Sequence, residues 1–201
     1  QNIVQSFIRN NPFALLNGVD ANGRPVATQL PLFLEEENSK QFLRGHLMRK
    51  TDHHRAMTDN ENVLVVFTGP HCYVSATWYA NPHQASTWNY MSVHVKGKIR
   101  FGDDDALIKI LRKTTMHFEG GNTSSSTFYD NLPDEYVQHL LPAIVAFEIE
   151  IESIENVFKL SQNRDKESYL NIIEQLMKGS ENERSIALAM RDNFEKIFNA
   201  K

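Results

Sequence analysis

The stretch from Val63 to Ile99, VLVVFTGPHCYVSATWYANPHQASTWNYMSVHVKGKI, constrains this chain most, because it holds the densest β-favouring sequence and both tryptophans. Val63 to Thr68 is an apolar run suited to a strand buried on both faces. Gly69-Pro70 is expected to break it, with Tyr73 to Tyr79 resuming an extended pattern. Ala80 to Thr87 reads as a polar loop holding Pro82 and His83. Met91, Val93, Val95 and Ile99 then alternate with Ser92, His94, Lys96 and Lys98, the period of a half-exposed strand. Three strands are therefore expected around a knot of Trp78, Tyr79, Trp88 and Tyr90.

The flanking segments look built to pack around this unit. Ile3, Val4, Phe7 and Ile8 have helical spacing, and Asn11-Pro12 ends that lead-in helix. Phe13 to Leu16 reads as a short strand, followed by a turn over residues 17–23 with Gly18 and Gly23 at positive φ. Pro25 to Leu34 reads as one strand, with Pro31 marking an edge position or a bulge. A charged loop (Glu35 to Lys40), a strand (Gln41 to Leu47) and a helix over Met48 to Thr58, entered through Thr51 or Asp52, come next.

Asp103 to Asp105 open a further helix with Leu107, Ile110 and Leu111 inward. Glu119 to Thr127 reads as a flexible loop and Pro133 to Leu141 as a short helix. Val145 to Ile151 alternates as a strand with Glu148, Glu150 and Glu152 toward solvent. The C-terminal part is helical, with a helix over Ser168 to Met177 stopping at Gly179. A Ser180-x-x-Glu183 capping box then opens the last helix. Six or seven antiparallel strands with four or five mostly peripheral helices predict a mainly β fold, a small barrel with helical additions. We read one domain, residues 1–164, with 165–201 as its helical appendage.

Composition narrows the class. At 201 residues the chain is long enough for one well-packed core. A formal net charge of −4 argues against a general nucleic-acid-binding face. The single cysteine, Cys72, excludes an intrachain disulfide and a Cys-rich metal site, which fits a reducing compartment. No apolar run approaches the ~20 residues that cross a bilayer, and no signal peptide is visible after Gln1, so a cytoplasmic location is the expectation.

Four places offer chemistry. Arg49, Lys50 and Thr51, with His46 nearby, flank a predicted helix start, where free N–H groups and the dipole favour a phosphate. The plainer reading of that segment is a solvated basic helix start. The PVATQLPL strand could offer backbone groups and Gln29 to the edge of a flat heteroaromatic ring, although an ordinary edge strand fits equally. The aromatic knot could wall a planar cofactor or could simply be core, with Asn89 weakening a purely apolar reading. Lys159 to Arg164 (KLSQNR) is rich in hydrogen-bonding groups and either caps the next helix or reaches a ligand. The histidines show no metal-ligand spacing, so no metal is expected. Walker A, G-x-G-x-x-G and G-x-S-x-G patterns are all missing.

In order and spacing, NPFALL, GRPVATQLPLFL, LRGHLMRKTDHHRAM, VLVVFTGPHCYVSATWY, STWNYMSVHVKGKI and AIVAFEIEIESIENVFKLSQNR resemble the PaiB family over roughly residues 7–165. Those proteins are described as FMN-binding and as negative transcriptional regulators. The resemblance implies an FMN-binding split β-barrel, similar to pyridoxine-phosphate oxidases, that forms a homodimer with the flavin at the subunit interface. Carried onto this chain, it implies that Ala27, Thr28, Gln29 and Leu30 border the flavin ring. His46, Arg49, Lys50 and Thr51 would hold the phosphate, and Trp78, Trp88 and Asn89 would close the pocket.

The function expected is flavin-dependent redox or flavin-sensing activity on a small molecule. The alternatives are a regulator of transcription acting directly or through a partner, direct DNA binding being disfavoured by the charge, and a haem-binding split barrel with a histidine as axial ligand. No acid, base or nucleophile stands out, which fits a reaction carried by a flavin.

Overall fold

The structure is a computed structural model that describes residues 3–81 and 83–199. Pro82 of the expected polar loop and the first two residues of the expected lead-in helix lie outside the described residues. The elements run α1 (Ile3–Asn10), β1 (Phe13–Val19), β2 (Pro25–Pro31), β3 (Phe33–Glu37), β4 (Lys40–Met48) and α2 (Asp52–Asp59). They continue with β5 (Asn62–Val74), β6 (Thr87–Phe101), α3 (Asp104–Phe118), α4 (Asp134–Leu140), β7 (Ile144–Lys159), α5 (Lys166–Leu176) and α6 (Glu181–Phe198). The seven strands form one sheet in the order β2-β1-β5-β6-β7-β4-β3, antiparallel in the pairings β1/β2, β1/β5, β3/β4 and β4/β7. The chain divides into two compact units. Unit 1 runs to Phe67 and includes His94–Glu155; unit 2 comprises Thr68–Val93 and the chain from Asn156 onward.

In unit 1, β1 and β2 pair from Phe13↔Pro31 to Val19↔Pro25 around a turn in which Gly23 takes φ +76°. Gly18, expected in that turn, lies inside β1. Its missing side chain serves packing: an added Cβ would stand 3.0 Å from Met57 Cγ of α2. The strand expected over Pro25 to Leu34 is interrupted at Leu32, whose N–H donates to Pro12 O at 2.8 Å. Pro31 ends β2, which is an edge strand of the sheet. Asn38 (φ 51°) and Ser39 (φ 63°) form the two-residue connection of the β3–β4 hairpin, the left-handed pair such tight turns need.

The Thr51 side chain accepts from His54 N to cap α2, and Asp103 caps α3 by accepting from Ala106 N. Below α3, Phe33, Leu107, Ile110, Leu111, Tyr129, Ile144 and Ala146 form a buried cluster. Glu148 and Glu150, expected to face solvent, are half-buried in ion pairs with Arg44 and Lys40.

In unit 2, Cys72, Val74, Ala76 and Tyr79 pack with Leu160 and the inward stripes of α5 and α6. The Tyr169 hydroxyl donates to Met190 O at 2.8 Å, joining the two helices. The Ser180–Glu183 capping box forms as expected. Gly69-Pro70 does not break the strand, since β5 continues to Val74. The registered β1 pairing covers only Leu64, Val65 and Val66 of β5, so Pro70 lies beyond it and costs no bond there.

Candidate functional site

The predicted phosphate segment is a tight junction between β4 and α2. Lys50 has φ +65°, a left-handed conformation that costs a non-glycine residue roughly 1 kcal/mol. Two neighbours fix it. Its N–H donates to His54 Nδ1 at 3.3 Å, and its carbonyl accepts from Arg55 Nη1 at 2.9 Å. Burial, with the positive Arg49 nearby, lowers the His54 pKa, so the ring stays neutral and Nδ1 remains an acceptor. Lys50 itself is exposed.

Arg49 is partly committed. Its N–H and Nε donate to Ala143 O and Ile144 O, each at 2.8 Å, and Nη2 stands 4.0 Å from Asp104. The Thr51 hydroxyl is spent on capping, with Oγ1 donating to Met48 O and accepting from His54 N. Asp52 Oδ1 already accepts from His53 N at the helix start. Lys50 and the outer nitrogens of Arg49 are the groups left for an anion.

His46 pairs with Ala146 across β4 and β7, so it shares the sheet face that carries Arg44 and the α3 cluster. Its Nδ1 is buried without a partner, and burial lowers the ring pKa below the usual 6.5. Along β2, Ala27 and Gln29 are exposed, Thr28 is half-buried and Leu30 is buried. Helix α2 packs against both β1 and β2. The structure thus brings the Lys50 junction and the Ala27–Leu30 segment into one region of unit 1.

Unit 2 separates the three residues predicted to close the pocket. Asn89 is fully buried: Oδ1 accepts from Ser161 Oγ at 3.0 Å, and Nδ2 points to Met190 Sδ at 3.6 Å. Trp78 is half-buried against the α5–α6 cluster. Trp88, 53% exposed, lies on the other side of β6 from Asn89, edge-on to Tyr73 with ring centroids 6.0 Å apart. The expected aromatic knot is therefore divided, with Tyr79 in the core and Trp88 and Tyr90 outside it.

KLSQNR acts as a brace. Lys159 donates to Thr87 Oγ1 at 2.6 Å, and Gln162 folds back on Leu160 N and Phe158 O. Arg164 stacks 4.1 Å above the Tyr79 ring and bonds Gln84. Sequence reasoning missed the role of Arg44, whose guanidinium binds Glu35, Glu37 and Glu148. The acidic EEE run and the alternating glutamates of β7 were its available signal.

The family model described as "Putative FMN-binding domain" matches residues 1–153. The chain is 32% identical over 194 residues to the Bacillus subtilis "Protease synthase and sporulation protein PAI 2", covering 96% of this chain and 92% of that one. Among solved structures, the FAD and Heme binding protein from Mycobacterium smegmatis has a TM-score of 0.56 at 19% identity, over 78% of this chain and 69% of that one. Rv2991 from Mycobacterium tuberculosis has a TM-score of 0.54 at 11% identity, over 78% of this chain and 82% of that one. These likenesses carry the fold, a split barrel of the pyridoxine-phosphate-oxidase type. On the family match and the 32% identity, the chain belongs to the PaiB family of FMN-binding-domain proteins.

Proposed function

We propose that this protein binds FMN in unit 1 and uses it for redox chemistry on, or sensing through, a small molecule. The observation that supports this most is the β4–α2 junction. A lysine is held in a strained, left-handed conformation immediately before a helix N-terminus, and two neighbouring side chains maintain the strain. Lys50 and the outer nitrogens of Arg49 would hold the phosphate, with the first N–H groups of α2 behind them. The exposed part of β2, Ala27 to Gln29, would border the ring, with Leu30 beneath it. A bound flavin supplies hydride and one-electron transfer.

The residues fit this group in part. Asp52 sets a negative charge at the helix start, so the phosphate charge rests mainly on Lys50 and Arg49. His46, on the α3 face, serves the fold more than the phosphate in this reading. Of the three aromatic-segment residues, Trp88 alone is exposed enough to reach a ring held by a second copy, and we take the protein to work as a cytoplasmic homodimer. Any effect on transcription would then run through a partner, given the net charge of −4.

Titration of flavin-stripped protein with FMN, followed by flavin fluorescence, tests the reading, with haem as a parallel ligand. One FMN per chain is expected. Haem binding without FMN binding would replace it with the haem reading.

A further inference from the structure

Unit 1 holds a second concavity, a cleft of about 790 Å³ between α3 and the sheet wall of β3, β4 and β7. Its size lies within the roughly 300–1,000 Å³ typical of small-molecule sites. The sheet wall is overloaded with negative charge. Arg44 Nη1 binds Glu35 Oε2 at 2.6 Å, Nη2 binds Glu37 Oε2 at 2.7 Å, and Nε and Nη2 share Glu148 Oε2 at 3.2 and 3.1 Å. Lys113 of α3 takes the other oxygen of Glu35. Three carboxylates therefore meet two cations. Glu35 uses both oxygens, while Glu37 and Glu148 each use only Oε2 and keep Oε1 unbonded.

The wall opposite carries the complement. Lys109, on α3, lines the same cleft and is exposed. It makes no hydrogen bond or ion pair, and Asp105, one turn earlier, forms none with it. Phe101 and Ile110 supply an apolar surface between the walls. The cleft thus offers two free carboxylate oxygens on one side, a free ammonium on the other and carbon between them.

We propose that this cleft binds a small organic zwitterion. The ligand's ammonium would sit on Glu37 and Glu148, its carboxylate on Lys109, and its methylenes over Phe101 and Ile110. An ammonium has three donors, enough to bridge both free oxygens. A ligand carrying both charges gains from both walls, whereas a simple amine or a simple acid gains from one. The proposal stands on the α3 cleft alone and is independent of FMN at the β4–α2 junction.

The test is isothermal titration of the full chain with ω-amino acids from glycine to 6-aminohexanoate, with hexylamine and hexanoate as single-charge controls. At least one chain length should bind saturably, and Glu148→Gln and Lys109→Ala should each weaken it by about tenfold or more, as expected for loss of a charged hydrogen bond. Both controls should bind more weakly than the matching amino acid. Both substitutions are at partly or fully exposed positions, and the Lys109→Ala midpoint in urea reports retained folding. Saturable binding lost in both variants supports the proposal. No saturable binding of any ω-amino acid up to about 10 mM, unchanged affinity in the variants, or hexylamine binding as tightly as 6-aminohexanoate overturns it.

Discussion

The hydroxyl of Ser161 donates to Asn89 Oδ1 at 3.0 Å, and both residues are buried in unit 2. Ser161 holds this position at φ +60°, an uncommon conformation for a residue with a side chain. The bond gives a buried amide and a buried hydroxyl each a partner, which neither obtains from water. Replacing Ser161 with Ala keeps the strain and strands the Asn89 oxygen, and should destabilise by about 1–3 kcal/mol. Ser161→Gly relieves the strain while losing the same bond and should cost less than Ser161→Ala. Urea unfolding of both variants checks the order; a Gly variant less stable than the Ala variant would count against this account.

Lys50 separates stability from binding. Lys50→Gly removes the positive-φ cost and should stabilise the fold by roughly 0.5–1 kcal/mol. The same change removes a phosphate ligand and should weaken FMN binding by about 1.5–3 kcal/mol. Fluorescence titration and thermal melting, read together, should move in opposite directions. Unchanged FMN affinity in a stabilised Lys50→Gly variant would remove Lys50 from the site.

Acid should loosen unit 1 through its histidines. Burial lowers the pKa of both His46 and His54 below the usual 6.5, so the unfolded chain takes up these protons first. The stability contributed by the neutral rings is present above pH about 6.5 and is lost as pH falls from there through the folded values. At His54, protonation also removes the acceptor of the Lys50 N–H. The urea midpoint of the wild-type protein should fall between pH 7.5 and 5.5. His54→Asn, which keeps an acceptor oxygen, should flatten that slope; a slope unaltered by it would place the acid sensitivity elsewhere.

Gly97 allows no substitute. A Cβ there would lie 2.3 Å from Glu150 O and 2.8 Å from Ile149 Cγ2, so β6 and β7 would have to part. Gly97→Ala should cost about 2 kcal/mol or more, read as a lower melting temperature with wild-type secondary structure in the far-UV spectrum.

Cys72 should be inert in the folded protein. It is 4% exposed, and burial with the nearby Glu183 charge pushes its thiol up to about 11. Labelling by a thiol reagent at pH 8 should follow unfolding, and immediate labelling of native protein would show that unit 2 opens locally.

The parts of the fold written in short-range chemistry were legible. The caps at Thr51 and Asp103 and the Ser180–Glu183 box stand where the sequence puts them, because a cap is decided within four residues. Features set by distant neighbours were not. Gly18 looked like a turn residue until α2 was packed on it, and Gly69-Pro70 looked like a break until the short β1 register was known.

The candidate site divides similarly. Lys50 and Thr51 could be placed beside a helix start from local pattern, but the sequence could not show that the Thr51 hydroxyl is already used. Asn89 lies between Trp88 and Tyr90 in a strand, and alternation alone puts it on the opposite face from both. Which face is buried depends on α5 and α6, over 70 residues later in the chain.

The edge strand β2 both begins and ends in proline, at Pro25 and Pro31. Proline has no amide proton, so a second chain laid along this strand finds fewer donors than seven residues would normally offer. The region assigned to the ring of the cofactor can thus stay open to a small flat molecule while remaining a poor template for another backbone. In a crowded cell, that lets a binding strand remain uncovered without recruiting its own kind into fibres.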